Sequence, residues 1–118
     1  MQFLLLIYNE ERDWDNATDV QKEKIMQGHA ALEAHLRKTG KYKFCGGLAG
    51  ASEAMCVRAQ GGALSVTPGP FAEAREHVGG YYVVDATDLN DAVTLAKSIP
   101  LHFEGMAVEI RHIMATPD

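Results

Sequence analysis

Apolar and polar residues follow patterns along the chain that change from one segment to the next. Gln2 to Tyr8 is apolar at odd and at even positions. Because successive residues of a strand face opposite sides of its sheet, both faces of this strand need to be covered. The pattern therefore predicts a central strand. Residues 9–17 are polar apart from Trp14 and are typical of a loop.

A helix is predicted directly after this loop. Thr18 and Gln21 have the spacing of a capping box, which satisfies two free amides at a helix start. Gly40 supplies a left-handed stop. The apolar stripe follows the helical period, at Ile25, His29, Leu32 and Leu36. His29 is therefore expected on the buried face of the helix.

The rest of the chain alternates between strand and helix patterns. Asp88 caps a second helix, which Pro100 bounds. Strands are predicted at 42–48, 54–58, 63–67, 81–85 and 106–113, the second and third of these forming a hairpin around two glycines. This order predicts one α+β domain over 1–118, a ferredoxin-like sandwich with an extra central hairpin.

Two helices can cover only one face of such a sheet. Residues 81–84 are apolar on both faces, as are residues 3–8 on the neighbouring strand. An apolar sheet face left in water is unfavourable, and a second copy of the chain is the natural cover. We therefore expect a homodimer.

Composition narrows the class of protein. The 118 residues are 47% apolar and 23% charged, enough for one globular core without metal or disulfide support. The formal net charge of -5 argues against direct nucleic-acid binding. The apolar run at 3–8 is too short to span a membrane and lacks the features of a leader, so a cytoplasmic protein is expected. Cys45 and Cys56 could pair, but without a secretion signal they more often stay reduced.

The middle of the chain holds a rigid turn followed by a charged loop. Pro68-Gly69-Pro70 restricts the backbone on both sides of a glycine, and Phe71 follows as an anchor. The loop that ends at Gly79-Gly80 sets four ionisable residues close together, Glu73, Arg75, Glu76 and His77. Such a cluster is usually a solvated loop with weak ion pairs, although a loop held at both ends is also typical of binding sites.

His29 is the most interesting single residue. Burial favours the neutral ring, which can accept or donate a proton near neutral pH. A core histidine bonded to a backbone carbonyl is the structural alternative. Metal binding through His29, His77, His102 and nearby glutamates has no supporting motif spacing, and neither a phosphate loop nor a nucleophile elbow occurs. No metal and no cofactor are predicted.

Three segments resemble a known family. The segment GPFAEAREHVGGYYVVDATDLNDAVTLAKSIP resembles the YCII-related proteins of the DGPF subgroup, as do QFLLLIYNEERDW and GHAALEAHLRKTG. The resemblance implies a dimeric α+β barrel, in which two sheets meet face to face. It also implies that His29 pairs with an aspartate near the turn, but Pro68 stands in that position here. A substitute carboxylate would have to come from Glu73 or Glu76.

Two functions follow from these expectations. The first is a small dimeric ligand-binding or regulatory module, with its pocket between the first helix and the central loop. The resemblance links it to transcription control, because DGPF proteins are often encoded beside sigma factors. The resemblance implies the alternative, a lyase or hydrolase acting on small cyclic molecules, with His29 as catalytic general base. The expected ligand-binding residues are Pro68, Gly69, Phe71, Glu73, Glu76 and Tyr82.

Overall fold

The computed structural model describes residues 1–115, in which the predicted strands and helices occur in the predicted order, with one additional short helix. Its helices are α1 (Glu11–Asp15), α2 (Asp19–Lys38) and α3 (Leu89–Ala96). Its strands are β1 (Gln2–Asn9), β2 (Tyr42–Gly47), β3 (Met55–Gln60), β4 (Ala63–Pro68), β5 (His77–Asp85) and β6 (Ala107–His112). A 3-10 turn, Ala51–Glu53, precedes β3. The last three residues of the predicted domain, 116–118, lie outside the described residues.

Four strands form an antiparallel sheet in the order β2-β5-β1-β6. This order matches a ferredoxin-like α+β fold, and β1 is a central strand as its two apolar faces predict. The remaining strands, β3 and β4, pair with each other in a separate two-stranded sheet. The predicted extra hairpin is thereby confirmed.

Local signals in the sequence explain where the helices begin and end. The Thr18 hydroxyl accepts a bond from the Gln21 amide at 3.1 Å, and the Gln21 side chain accepts one from the Thr18 amide at 2.8 Å. These two bonds form the predicted capping box. Gly40 follows α2 with a φ of 73°, a left-handed conformation that favours glycine. Asp88 caps α3 by accepting a bond from the Asp91 amide at 2.8 Å.

The core lies between one face of the sheet and the helices α2 and α3. Odd-numbered residues of β1 and even-numbered residues of β5 face the helices, because side chains alternate along a strand. Leu32 and Leu36 of the predicted α2 stripe are buried against them. The buried cluster consists of Phe3, Leu5, Ile7, Leu32, Leu36, Tyr82, Val84, Ala86, Ala92, Leu95, Ala96 and Ile99.

The other face of the sheet carries apolar side chains that no helix covers. We call it the open face. Phe44 is 58% exposed there and stacks on Tyr81, with 6.1 Å between ring centroids. Its half-buried members are Leu4, Leu6, Tyr8, Tyr81 and Val83.

Two sequence predictions were wrong in detail. Residues 11–15, expected in a loop, form the short helix α1; five residues are too few to display a helical period. The strand expected at 81–85 begins at His77, because Gly79-Gly80 lies within it. Gly79 is the extra residue of a bulge between the pairs Ile7–Gly80 and Tyr8–Val78. A side chain there would clash with Asn9, whose Oδ1 lies 2.1 Å from the ideal Cβ position.

Within residues 1–115, no helix has both the length and the apolar character needed to cross a bilayer. Cys45 and Cys56 are both free, as expected.

Candidate functional site

A cavity of about 540 Å³ lies between the first half of α2 and the adjoining ends of β1, β2 and β5. This volume is in the range of small-molecule sites. Apolar side chains come from three separate segments: Trp14 from α1, Ile25 and Met26 from α2, and Phe103 and Met106 from the segment before β6. The cavity is therefore mostly apolar, with polar and ionisable side chains such as Asn9, Glu11, Asp15 and His77 also in its lining, and a mixed lining of this kind is typical of ligand sites.

The short helix α1 forms one wall of this cavity. Trp14 is 37% exposed, and the Lys22 ammonium lies 5.3 Å from the centre of its ring. A cation over an indole is favourable, so this contact helps to hold Trp14 in place. The wall is thus an aromatic side chain on a short element rather than part of the core.

His29 and Tyr82 form the central polar contact of the cavity. Their ring planes are 17° apart with 5.8 Å between centroids, and His29 Nδ1 lies 2.7 Å from the Tyr82 hydroxyl. The helical stripe directs His29 toward the sheet, and the alternation of β5 directs Tyr82 toward the helix. Both side chains line the cavity.

Both groups are neutral at neutral pH. Burial lowers the pKa of His29, and the nearby His102 lowers it further. Burial raises the pKa of Tyr82, and the neighbouring groups of Cys45, Glu33 and Tyr42 add to this effect. Loss of water disfavours the charged form of each group, which explains why the two shifts have opposite directions.

The neutral pair has a preferred arrangement of hydrogens. Tyr82 is only 3% exposed, and its hydroxyl needs an acceptor. Among residues 1–115 that acceptor is His29 Nδ1, which leaves the ring hydrogen on Nε2. Nε2 has no partner among these residues and is not sealed from solvent. In this arrangement the Nε2 hydrogen is available for a bond at the cavity, which His29 lines.

Polar side chains lie behind Tyr82. Cys45 faces Tyr82 across the β2–β5 pair, and its thiol donates to Glu33 Oε1 at 3.3 Å. The Tyr42 hydroxyl lies 3.4 Å from the same sulfur. The Arg37 guanidinium stacks over the Tyr42 ring at 4.1 Å. This connected cluster supports the position of Tyr82 from the side of the sheet.

A second, open depression adjoins the cavity. Glu10 lines it and pairs with two arginines, Arg75 at 3.1 Å and Arg12 at 2.5 Å. These bonds connect the charged loop to the start of α1. Three residues border both spaces, Glu11, Asp15 and His77. The loop predicted for binding is thus adjacent to the cavity, but it lines the depression.

The predicted site residues fall in three places. His29 and Tyr82 line the cavity, whereas Glu73 lines the depression. Glu76 is exposed and lines neither space. The other three lie where the hairpin meets the charged loop: Pro68, Gly69 and Phe71. The ligand-binding and catalytic roles of all seven stay predictions.

The sequence analysis named Glu73 and Glu76 as the possible carboxylate partners of His29. In the described part of the chain, the hydrogen-bond partner of His29 is Tyr82. Tyr82 was predicted for the site without this contact, because the two residues are 53 positions apart. Trp14, Phe103 and Met106 were missed altogether. For Trp14 a signal existed, since it is a lone large apolar residue in a polar stretch.

Comparison with known sequences agrees with this architecture. The profile of the family described as the YCII-related domain matches residues 1–115. The chain belongs to the YCII-related family. An uncharacterised protein of Rhizobium meliloti (strain 1021) is 27% identical over 99 residues, which cover 84% of this chain and 80% of the relative. The YCII-related match spans every element of the sheet and both sides of the cavity.

Proposed function

We propose that this YCII-related chain is a homodimeric module that binds a small neutral molecule in the cavity beside His29. The observation that carries the proposal is the contact of 2.7 Å between His29 Nδ1 and the Tyr82 hydroxyl at the wall of the cavity. With Tyr82 as the donor, His29 Nε2 carries the ring hydrogen and is free to donate to a ligand. A donor in this setting suits a carbonyl-type oxygen of a ligand. The ligand would place an apolar body against Trp14 and Phe103.

Charge favours a neutral ligand over an anion. Glu11 and Asp15 border the cavity, and the chain has a formal net charge of -5. Because His29 is held neutral, it offers a hydrogen bond without a compensating positive charge. An anion would therefore enter against repulsion, whereas an uncharged carbonyl compound would not.

Thermal shift measures this binding directly. The probes are three matched panels of cyclic ketones and lactones, of carboxylates, and of amines. A ligand at about 100 times its Kd stabilises the fold by about 2.7 kcal/mol. We expect hits in the neutral panel that His29→Gln loses. His35→Gln, an exposed histidine on the same helix, is the matched control and should keep them. Hits confined to the anionic panel would contradict the proposal.

An enzymatic role is the second candidate, and the lowered pKa of His29 favours it, because a general base must be unprotonated. In that role His29 would act as the base of a lyase or hydrolase. It would need the opposite tautomer, with the hydrogen on Nδ1 and a lone pair on Nε2. Long-range proton–nitrogen NMR of the imidazole ring distinguishes the two tautomers. Hydrogen on Nε2 supports the binding module, and hydrogen on Nδ1 supports the base.

The homodimer is proposed from the open face. Leu4, Leu6, Tyr81 and Val83 would be covered by the same surface of a second copy, giving the face-to-face sheets of a dimeric α+β barrel. In sedimentation velocity the wild type should be dimeric and Leu6→Asp monomeric. Leu101→Asp, an exposed leucine outside the sheet, should remain dimeric. A monomeric wild type at tens of micromolar would refute the dimer.

A regulatory role would act through ligand occupancy of the dimer. The resemblance to DGPF proteins suggests sigma-factor-associated transcription control as its setting. The net charge of -5 argues against direct contact with DNA in that role. A protein partner would then distinguish the liganded dimer from the free dimer.

A further inference from the structure

The β3–β4 hairpin, which we call the arm, has one face that is entirely apolar. The pairing places Val57 opposite Val66, Ala59 opposite Leu64 and Met55 opposite Pro68 on this face. The four largest of these side chains are 62–75% exposed: Met55, Val57, Leu64 and Val66. Every second residue of a strand points to the same face, and paired residues of the two strands lie side by side. These side chains therefore form one continuous apolar surface.

Part of the opposite face of the arm contacts the segment that follows β4. The Arg58 guanidinium lies 5.1 Å from the centre of the Phe71 ring and donates to the Phe71 carbonyl at 2.9 Å. The Cys56 thiol donates to the Gly69 carbonyl at 3.3 Å. The segment after β4 therefore folds back on the polar face. The apolar face contains no charge, and no segment within residues 1–115 covers it.

The arm extends away from the rest of the fold. The radius of gyration is 16.1 Å, whereas a compact domain of this length has about 13.5 Å. An isolated two-stranded hairpin is marginally stable in water, because it has no packed face. An arm with an exposed apolar face is therefore suited to packing on another surface.

We propose that the apolar face of the arm packs against a second copy of this chain. This inference rests on the proposed homodimer. It specifies how the interface of that dimer reaches the area of a stable interface. From strand spacing and residue rise, four strands of six residues present about 400 Å² on the open face. A standard interface needs about 800 Å² from each partner. The open face alone supplies about half of that.

The arms add to this area. One face of the arm measures about 200 Å² by the same spacings. In a two-fold dimer each copy contributes its open face and its arm face, which brings the area to about 600 Å² per partner, the lower end of the range for specific interfaces. Because the arm face is uncharged, it requires an apolar receiving surface. The centre of the open face, with Leu4, Leu6, Tyr81 and Val83, is such a surface on the chain itself, whereas Glu109 and Arg111 lie at its β6 edge.

Packing of the arm would also act on the ligand site. Residues 47–50, which lead into the arm, line the cavity, and Pro70, which leads out of it, lines the depression. The Gly69 amide donates to the Ala54 carbonyl at 2.7 Å and joins the two connections at the base of the arm. The arm is therefore connected directly to the walls of the cavity and of the depression.

The test places two charges at the centre of the apolar face, in the variant Val57→Asp/Val66→Asp. Gln60→Asp/Thr67→Asp is the matched control, because it introduces two aspartates on the opposite face of the same strands. Sedimentation equilibrium should give a dimer Kd at least tenfold weaker for the first variant and within threefold of wild type for the control. Far-ultraviolet circular dichroism verifies that both variants fold.

Hydrogen exchange on the unaltered protein gives a second measurement. Amides of residues 55–67 should exchange more slowly at concentrations above the dimer Kd than below it. A dimeric wild type whose Kd does not change in Val57→Asp/Val66→Asp, with arm exchange independent of concentration, would overturn the arm contact and leave the dimer standing. A monomeric wild type would overturn both, whereas the thermal-shift panels test ligand binding separately.

Discussion

Removal of the Tyr82 hydroxyl tests the contact on which the candidate site depends. Tyr82→Phe keeps the ring in the core and deletes the bond of 2.7 Å to His29 Nδ1. One hydrogen bond contributes about 1 kcal/mol net, and a partner left unsatisfied in a buried site costs about 1–3 kcal/mol. Since His29 is only half-buried and borders the cavity, water can reach its ring. We therefore expect a loss near the lower end, about 1–2 kcal/mol in free energy of unfolding.

Urea unfolding at fixed protein concentration measures this loss, and the midpoint of a thermal melt should fall by about 3–5 °C per kcal/mol for a domain of this size. Tyr81→Phe is the matched control. It removes a hydroxyl one residue away, on the open face, and that hydroxyl makes no side-chain hydrogen bond within residues 1–115. The control should change stability by less than about 0.5 kcal/mol.

A double-mutant cycle with His29→Gln isolates the pair. If the bond exists as described, the two substitutions should couple by about 1 kcal/mol. Equal losses in Tyr82→Phe and Tyr81→Phe, or additive effects in the cycle, would refute the reasoning. The tautomer of His29, and the ligand class inferred from it, would then lose their basis.

Two further predictions concern pH and packing. Because the folded pKa of His29 is lowered, the unfolded chain binds the proton first as pH falls below about 6.5, and stability falls by at most about 1.4 kcal/mol per pH unit. His29→Gln should remove this part of the slope in urea melts between pH 7.5 and 5, and an unchanged slope would contradict it. Gly28→Ala should destabilise, because its Cβ would lie 2.6 Å from Pro100 Cγ. A clash of about 1–3 kcal/mol exceeds the gain of about 1 kcal/mol in helix propensity. The same change in a Pro100→Ala background should be neutral or stabilising if this account is correct.

The sequence by itself determined the order of the elements and much of their placement. Thr18 and Asp88 cap helices through residues three positions away, so their signals are local. The two apolar faces of residues 3–8 required a central strand because burial of both faces has no other solution in a sheet. The same periodicity placed His29 toward the core.

Only the tertiary structure decided what His29 contacts. Its partner Tyr82 is 53 positions away, and which neighbour fills such a contact depends on strand register and helix position together. The bulge at Gly79 shifted the start of β5 to His77, and the charged loop then lined a depression beside the cavity. The apolar face of the arm likewise depended on the pairing of Val57 with Val66. Local propensities carry no information on contacts between distant segments, and the candidate site is composed of such contacts.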